Sequence, residues 1–357
     1  MPLTKLQFRP GINREITSYS NEGGWFDMDK VRFRFGYPEK IGGWFKNTSA
    51  AFLGTCRALH PWVALDGTKY VGVGTHLKYY ILEGGAYYDI TPIRLTTSAG
   101  DVTFATGADT LNGAITADTE SITLNSVSGF PASGRIKIGS EEITYAAIAS
   151  ATLTGCVRGV SSTTAATHSD SAAVTCATIT VTDTAHGALD NDFVTFSGAA
   201  TLGGVITANV LNQEYQVTAI VSANAYQIEA REVATIQSIT TTEGLNPTFV
   251  FANTSDSGNG GGSIVGAYQV NTGLDTTISG NGWNAGGWGR GTWNSAANLS
   301  FSGLKLRIWS HDNFGEDLII NVRDEGVFYW DKSNGVTTRA VALSSLASAT
   351  DRLKILF

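Results

Sequence analysis

The chain is short of charge, cysteine, methionine and proline. Only 15% of its 357 residues are Asp, Glu, Lys or Arg, and it holds 3 Cys, 2 Met and 7 Pro. Cys56, Cys156 and Cys176 are odd in number and far apart. That excludes a disulfide framework and a zinc-ligand spacing, and leaves small buried thiols as the expectation. No run approaches the ~18 apolar residues of a membrane helix, and Met1–Arg9 has no apolar signal core. No membrane span is expected, and the chain should be made in a reducing cytoplasm. Long Leu/Glu/Lys/Ala blocks at helical spacing are missing too, which argues against a helix bundle.

Basic residues are absent over one long stretch. No Lys or Arg occurs between Arg158 and Arg231. Residues 96–251 hold 4 basic against 14 acidic residues, a net of −10, while the remainder holds 20 against 17, a net of +3. The middle should therefore avoid nucleic acid, and the flanks could tolerate it.

What is present is glycine (41 residues), abundant Ser and Thr, and 16 Phe, 12 Tyr and 8 Trp. Short runs of Val, Ile, Thr, Tyr and Phe punctuated by Gly predict an all-β protein. Two stretches follow one plan. Trp62, Gly67, Tyr70–Val73, Tyr79–Tyr80 and Gly84–Gly85 are matched by Trp309, Gly315, Leu318–Ile320, Phe328–Trp330 and Gly335. Recurrence of a tryptophan strand, a glycine turn, an apolar strand and an aromatic strand suits a stacked or radial β architecture.

The expected fold is a partial β-propeller-like scaffold interrupted by two small β-barrel or sandwich modules. Residues 1–95 would be its first part, 96–176 one inserted module, 177–251 a second, and 252–357 the second part of the scaffold. At ~40–45 residues per blade, the 201 residues outside the insert amount to roughly four to five blade-equivalents. Leu353–Phe357 reads as the middle of a strand, so the expectation is a fragment of a longer protein, with a ring closed by unlike strands as the alternative.

Little chemistry is visible. His60, His76, His168, His186 and His311 are scattered, with no HExxH, CxxC or GxSxG motif. Asp183-Thr184-Ala185-His186 hints at half a triad without its nucleophile. Glu141-Glu142 and Glu316-Asp317 are adjacent acids that point apart on a strand. Asp190-Asn191-Asp192 reads as a turn. No enzyme activity, metal or cofactor is expected. Lys30, Arg32, Arg34 and Lys40 are the best candidates for an anion or DNA-channel contact, on a strand where Val31, Phe33 and Phe35 face inward. Tyr37-Pro38 should then turn the chain. Trp283, Trp288 and Trp293 recur every five residues in a glycine-rich segment with 12 Gly between Gly258 and Gly291, a possible interface or glycan platform.

The segments Phe8-Arg9-Pro10-Gly11-Ile12-Asn13-Arg14-Glu15, Gly24-Trp25-Phe26-Asp27, Arg32–Trp44 and Trp309–Leu318 resemble those of structural proteins of tailed bacteriophages. Within that group the chain is similar to the tail-hub, or nozzle, proteins of short-tailed phages. Ser128-Gly129-Phe130-Pro131 with Ile143-Thr144-Tyr145 and Leu153-Thr154-Gly155, and Ala185-His186-Gly187, resemble small β-modules of virion proteins. The resemblance implies a homo-oligomeric ring around the DNA exit channel of the virion tail, assembled in the host cytoplasm. It implies partners among portal-adaptor and tail fibre or needle proteins, contact with packaged DNA, and no catalytic residues. A receptor- or glycan-binding appendage is the alternative.

Overall fold

The computed structural model describes residues 9–17, 19–43, 45–232, 248–274, 306–323 and 325–343. They fall into two compact units, Met1–Ser49 and Ala50–Phe357. Among the described residues there are seven antiparallel sheets and one short α-helix, Ala208–Leu211, and none of the sheets is closed. The all-β expectation holds at this level.

In the larger unit, the two similar stretches each fold as a four-stranded meander. The first has strands Cys56–Val63, Lys69–Thr75, Tyr79–Glu83 and Ala86–Asp89. The second has Trp309–Phe314, Asp317–Val322, Val327–Trp330 and Val341–Ala342. Asp66-Gly67 and Gly84-Gly85 make the hairpin turns, with Gly67 at φ +86° and Gly84 and Gly85 at +58° and +87°. Such angles favour glycine because it lacks a Cβ.

The two meanders share one apolar core, although their sequences lie more than 200 residues apart. Tyr70, Tyr79 and Ile81 of the first pack with Trp309, Leu318, Ile320, Phe328 and Trp330 of the second. Alternation from Ala58 to Val63 sends Ala58, His60 and Trp62 towards that core and leaves Leu59, Pro61 and Val63 exposed. Gly72 and Gly74 lie within a continuous strand. They are small because of what lies above them. A Cβ on Gly74 would sit 2.6 Å from the Trp309 ring, and one on Gly72 2.5 Å from the Tyr79 hydroxyl.

Between the meanders come two sandwich-like modules, and they are nested rather than consecutive. The outer module pairs a sheet of Ala219–Ser222, Ala225–Glu229, Thr178–Thr182 and Thr103–Ala105 with a sheet of Glu214–Gln216, Phe193–Ser197, Val265–Gln269 and Ile93–Thr96. Its core joins Val102 and Phe104 to residues 179–268. The inner module, with a core from Leu111 to Cys176, is inserted into it after Ala105. Strands 103–105 and 265–269 thus lie in the outer module, where the sequence reading gave them to the first insert and to the scaffold. Each is too short and small-residued to reveal its partner; only burial against Phe196 and Tyr226 selects it.

The inner module is built around one buried carboxylate. Glu141, 1% exposed, takes both Arg158 Nε and Nη2 at 2.7 Å, His168 Nε2 at 2.8 Å and the Ala166 N–H at 3.1 Å. Burial alone would raise this carboxyl; Arg158, His168 and the Ala166 amide outweigh it and hold it at about 2. Its folded value lies below its unfolded one, so the stabilisation is complete above the ordinary Glu range. It should fade as pH falls from ~4.5 through 2, by about 3 kcal/mol in all. Thermal melts across that range should show the loss, and the Glu141→Gln variant should show a flatter profile.

Candidate assembly surfaces

The joint between the meanders is held by hydrogen bonds, ion pairs and ring contacts. His60 Nε2 lies 2.6 Å from Asn313 Oδ1, and the Tyr79 hydroxyl 2.8 Å from His311 Nδ1. Trp62 Nε1 donates to the Glu316 carbonyl at 3.2 Å, and the Leu65 N–H to Glu316 Oε1 at 2.7 Å. Lys332 bridges Asp66 and Glu316, both at 2.8 Å. Trp62 stacks on Tyr70 at 5.2 Å, and Tyr70 meets Trp330 edge-on at 5.9 Å. These contacts fix how one sheet lies on the other.

The outward face of the first meander is covered in part: Val73 and Tyr80 are buried, and the Phe52 ring lies 6.2 Å from that of Tyr80 and 5.1 Å from that of Tyr87. Leu59 is 62% exposed, Val63 63% and Leu65 93%. Opposite Pro61 and Leu59 on this face are Val71 and Val73. The face is apolar, closed over Val73 and Tyr80 and open along the edge strand at Leu59, Pro61 and Val63. On the second meander, Ile319, Val327, Tyr329 and Val341 turn outward beside Ser310, Asp312 and Asn321. That face is mixed rather than apolar.

In the smaller unit, Val31–Arg34 and Tyr37–Lys40 form a two-stranded hairpin. The turn falls at Phe35-Gly36, with φ of +51° and +84°. It comes before Tyr37-Pro38, and Phe35 is 89% exposed at the tip instead of facing inward. Pro38 is tolerated because a two-stranded ribbon has only edges. The four candidate cations do not share one face. Arg32 and Arg34 stand opposite Glu39 and Tyr37, and Lys40 stands opposite Val31. Arg32 is paired with Glu39 at 3.1 Å, Lys30 with Asp29 at 3.6 Å, and Arg34 lies over the Phe35 ring. Trp283, Trp288 and Trp293 lie outside the described residues.

The groups that could have signalled catalysis are tied to structure. Asp183 accepts from the Tyr268 hydroxyl at 2.5 Å, which in turn meets Tyr226 at 2.8 Å. His186 Nδ1 accepts from the Ala188 N–H, and Nε2 faces the Ser222 carbonyl at 3.3 Å. Burial raises the Asp183 carboxyl and lowers the His186 imidazole, which leaves both closer to neutral. Asp190 caps the Ile220 N–H, and Asp192 caps those of Leu189 and Thr272. Glu142 pairs with Arg135, and Asp317 receives the Lys332 N–H. No group of three or more metal-ligating side chains gathers among the described residues. Cys156 and Cys176 are buried, but Cys56 is exposed at the start of an edge strand, contrary to the expectation of three buried thiols.

What sequence reading missed is the charge cluster where the outer module meets the first meander. Lys78 touches both Asp89 and Glu214, and Arg339 pairs with the same two carboxylates. Its members lie up to 261 residues apart, so no motif spacing could have exposed it. No protein family, curated protein or solved structure matches this chain.

Proposed function

We propose that this chain is a structural component of a phage tail, which forms a ring as a hub or nozzle around the DNA exit channel. The observation that carries the reading is the joined pair of meanders with apolar side chains exposed at Leu59, Pro61 and Val63 along the edge strand of the first. An exposed apolar strand edge is completed by a second copy, and a head-to-tail contact repeated with a closing rotation makes a ring. The acidic modules would stay hydrated and away from DNA, and the scaffold, at net +3, would tolerate it. The role is one of scaffolding and retention of packaged DNA, in contact with portal-adaptor and fibre or needle proteins, without catalysis.

Sedimentation and electron microscopy of the purified chain test this. Closed rings are expected, and a strict monomer at high concentration would sink the reading. The double change Leu59→Asp and Val63→Asp should weaken self-association by tenfold or more, since each buried aliphatic side chain is worth about 1.5–3 kcal/mol. Circular dichroism of the variant should remain native, because both side chains are exposed within one chain.

A further inference from the structure

Lys78 lies in the turn between strands Lys69–Thr75 and Tyr79–Glu83, and its side chain is only 4% exposed. Nζ donates to Asp89 Oδ2 at 2.7 Å and contacts Glu214 Oε1. The Phe193 ring lies 4.4 Å from Nζ. An amine is thus held against two carboxylates where little water reaches it.

The two oxygens of Asp89 are treated differently. Oδ2 faces the amine. Oδ1 accepts from the Thr91 N–H at 2.9 Å, the Thr91 hydroxyl at 2.5 Å and Arg339 Nη1 at 3.2 Å. Those donors gather on the oxygen that would carry charge if a nucleophile added to the carboxyl carbon. Glu214 is fixed at its other end. Its Oε2 accepts from Gln269 Nε2 at 2.5 Å and Arg339 Nη2 at 3.2 Å, while Oε1 stays on Lys78.

We propose that Lys78 and Asp89 join in an intramolecular amide bond, with Glu214 carrying the protons. The Lys78 ammonium passes a proton by way of Glu214 to Oδ2 of Asp89, and the neutral amine attacks Cγ of the carboxylic acid so formed. An Nζ–Cγ bond forms, and charge collects on Oδ1. The Cγ–Oδ2 bond then breaks. Oδ2 leaves as water with two protons, both from the original ammonium and both relayed by Glu214, which ends as the carboxylate it began. Nζ keeps one hydrogen. An ammonium and a carboxylate become a neutral amide and water, so net charge is unchanged and no oxidant or other reactant is needed. Fixed contact replaces the encounter of two separate groups.

Arg339 acts in two senses. Although burial alone would raise the Asp89 carboxyl, Lys78 and Arg339 together hold it below the usual carboxylate range, which slows the first step. The same guanidinium neutralises Oδ1 during attack. The bond therefore belongs to a slow maturation. Lys332 supplies an internal comparison. It also meets an Asp and a Glu, at 2.8 Å each, but Asp66 is 54% exposed. There the charged forms keep their hydration, and no bond is expected.

The position gives the bond a use. Asp89 ends the first meander, and residues 90–92 carry the chain into the outer module at Ile93. Glu214 and Gln269 belong to that module, so the reaction is possible only once the module has docked on the scaffold. The inference goes beyond the tail-hub reading and does not depend on it.

Intact-mass measurement tests it, on protein both freshly purified and incubated overnight at growth temperature. The expected mass is one water below that of the sequence. Trypsin should release Tyr70–Arg94 uncut after Lys78 and one water light. Glu214→Gln should restore the full mass with native circular dichroism. Asp89→Asn should lose ammonia in place of water, a second covalent signature. Full mass in the wild type with free cleavage after Lys78 overturns the proposal. So does a water lost while cleavage after Lys78 persists, which would mark a succinimide. Water loss that survives Glu214→Gln overturns the role given to Glu214.

Discussion

Replacement of Trp309 by alanine is expected to destabilise the joined meanders by about 3–5 kcal/mol, the usual range for removal of a large buried aromatic side chain. The indole is 5% exposed and fills the space left by Gly74. It meets Tyr79 edge-on at 5.0 Å, and its Nε1 donates to the Thr75 carbonyl at 2.6 Å. Alanine would leave both a void and a buried carbonyl without its donor. The first meander cannot collapse into that void, because its strand is already held on the far side by Tyr79–Glu83. Denaturant unfolding followed by tryptophan fluorescence measures the loss. The converse change, Gly74→Val, should act at the same place, since its Cβ would lie 2.6 Å from the Trp309 ring. Neither change touches the cores of the two modules, so strand signal from these should persist after the scaffold transition. A single transition that moves as one for the whole chain would contradict the division into separate cores.

The second large effect is expected at Glu141. Its removal by Glu141→Ala leaves the Arg158 guanidinium, 7% exposed at its side chain, without its carboxylate. A buried charge that loses its partner typically costs about 3–5 kcal/mol. The Gly159 and Ala166 N–H groups would lose an acceptor at the same time. Replacement of the pair by Glu141→Leu with Arg158→Met should recover much of the loss, because no unpaired charge remains. Urea melts of the wild type, the single variant and the double variant give the comparison. Loss of the exposed Lys332–Asp66 pair should have little effect, since water screens it. Equal losses at the two sites would mean that burial is not what sets the strength of the Glu141 cluster.

The meanders were legible because their information is local. Alternation along Ala58–Val63, the Asp66-Gly67 turn and the tryptophan–glycine–aromatic order each act within a few residues. Their repetition identified the two ends as alike, and their shared core follows from the same aromatic faces. The Phe33–Pro38 turn was misplaced by two residues. Phe35-Gly36 adopts the left-handed angles of a tight hairpin turn, and a phenylalanine there carries no sequence signal for them. The nesting of the modules was illegible for another reason. Strands of three residues such as Thr103–Ala105 have no period of their own, and pairing with Thr180–Thr182 is fixed only by burial of Phe104 against Phe196 at 5.0 Å.

Composition and periodicity alone determined an all-β chain, acidic in its middle, with two related meanders. Those properties depend on each residue and its near neighbours. The nested order of the modules, the room that Gly74 leaves for Trp309, the buried Glu141 cluster and the meeting of Lys78 with Asp89 and Glu214 were decided by tertiary structure. Each joins groups that are remote along the chain, and their contact depends on which surfaces are excluded from water together, a property no single segment possesses.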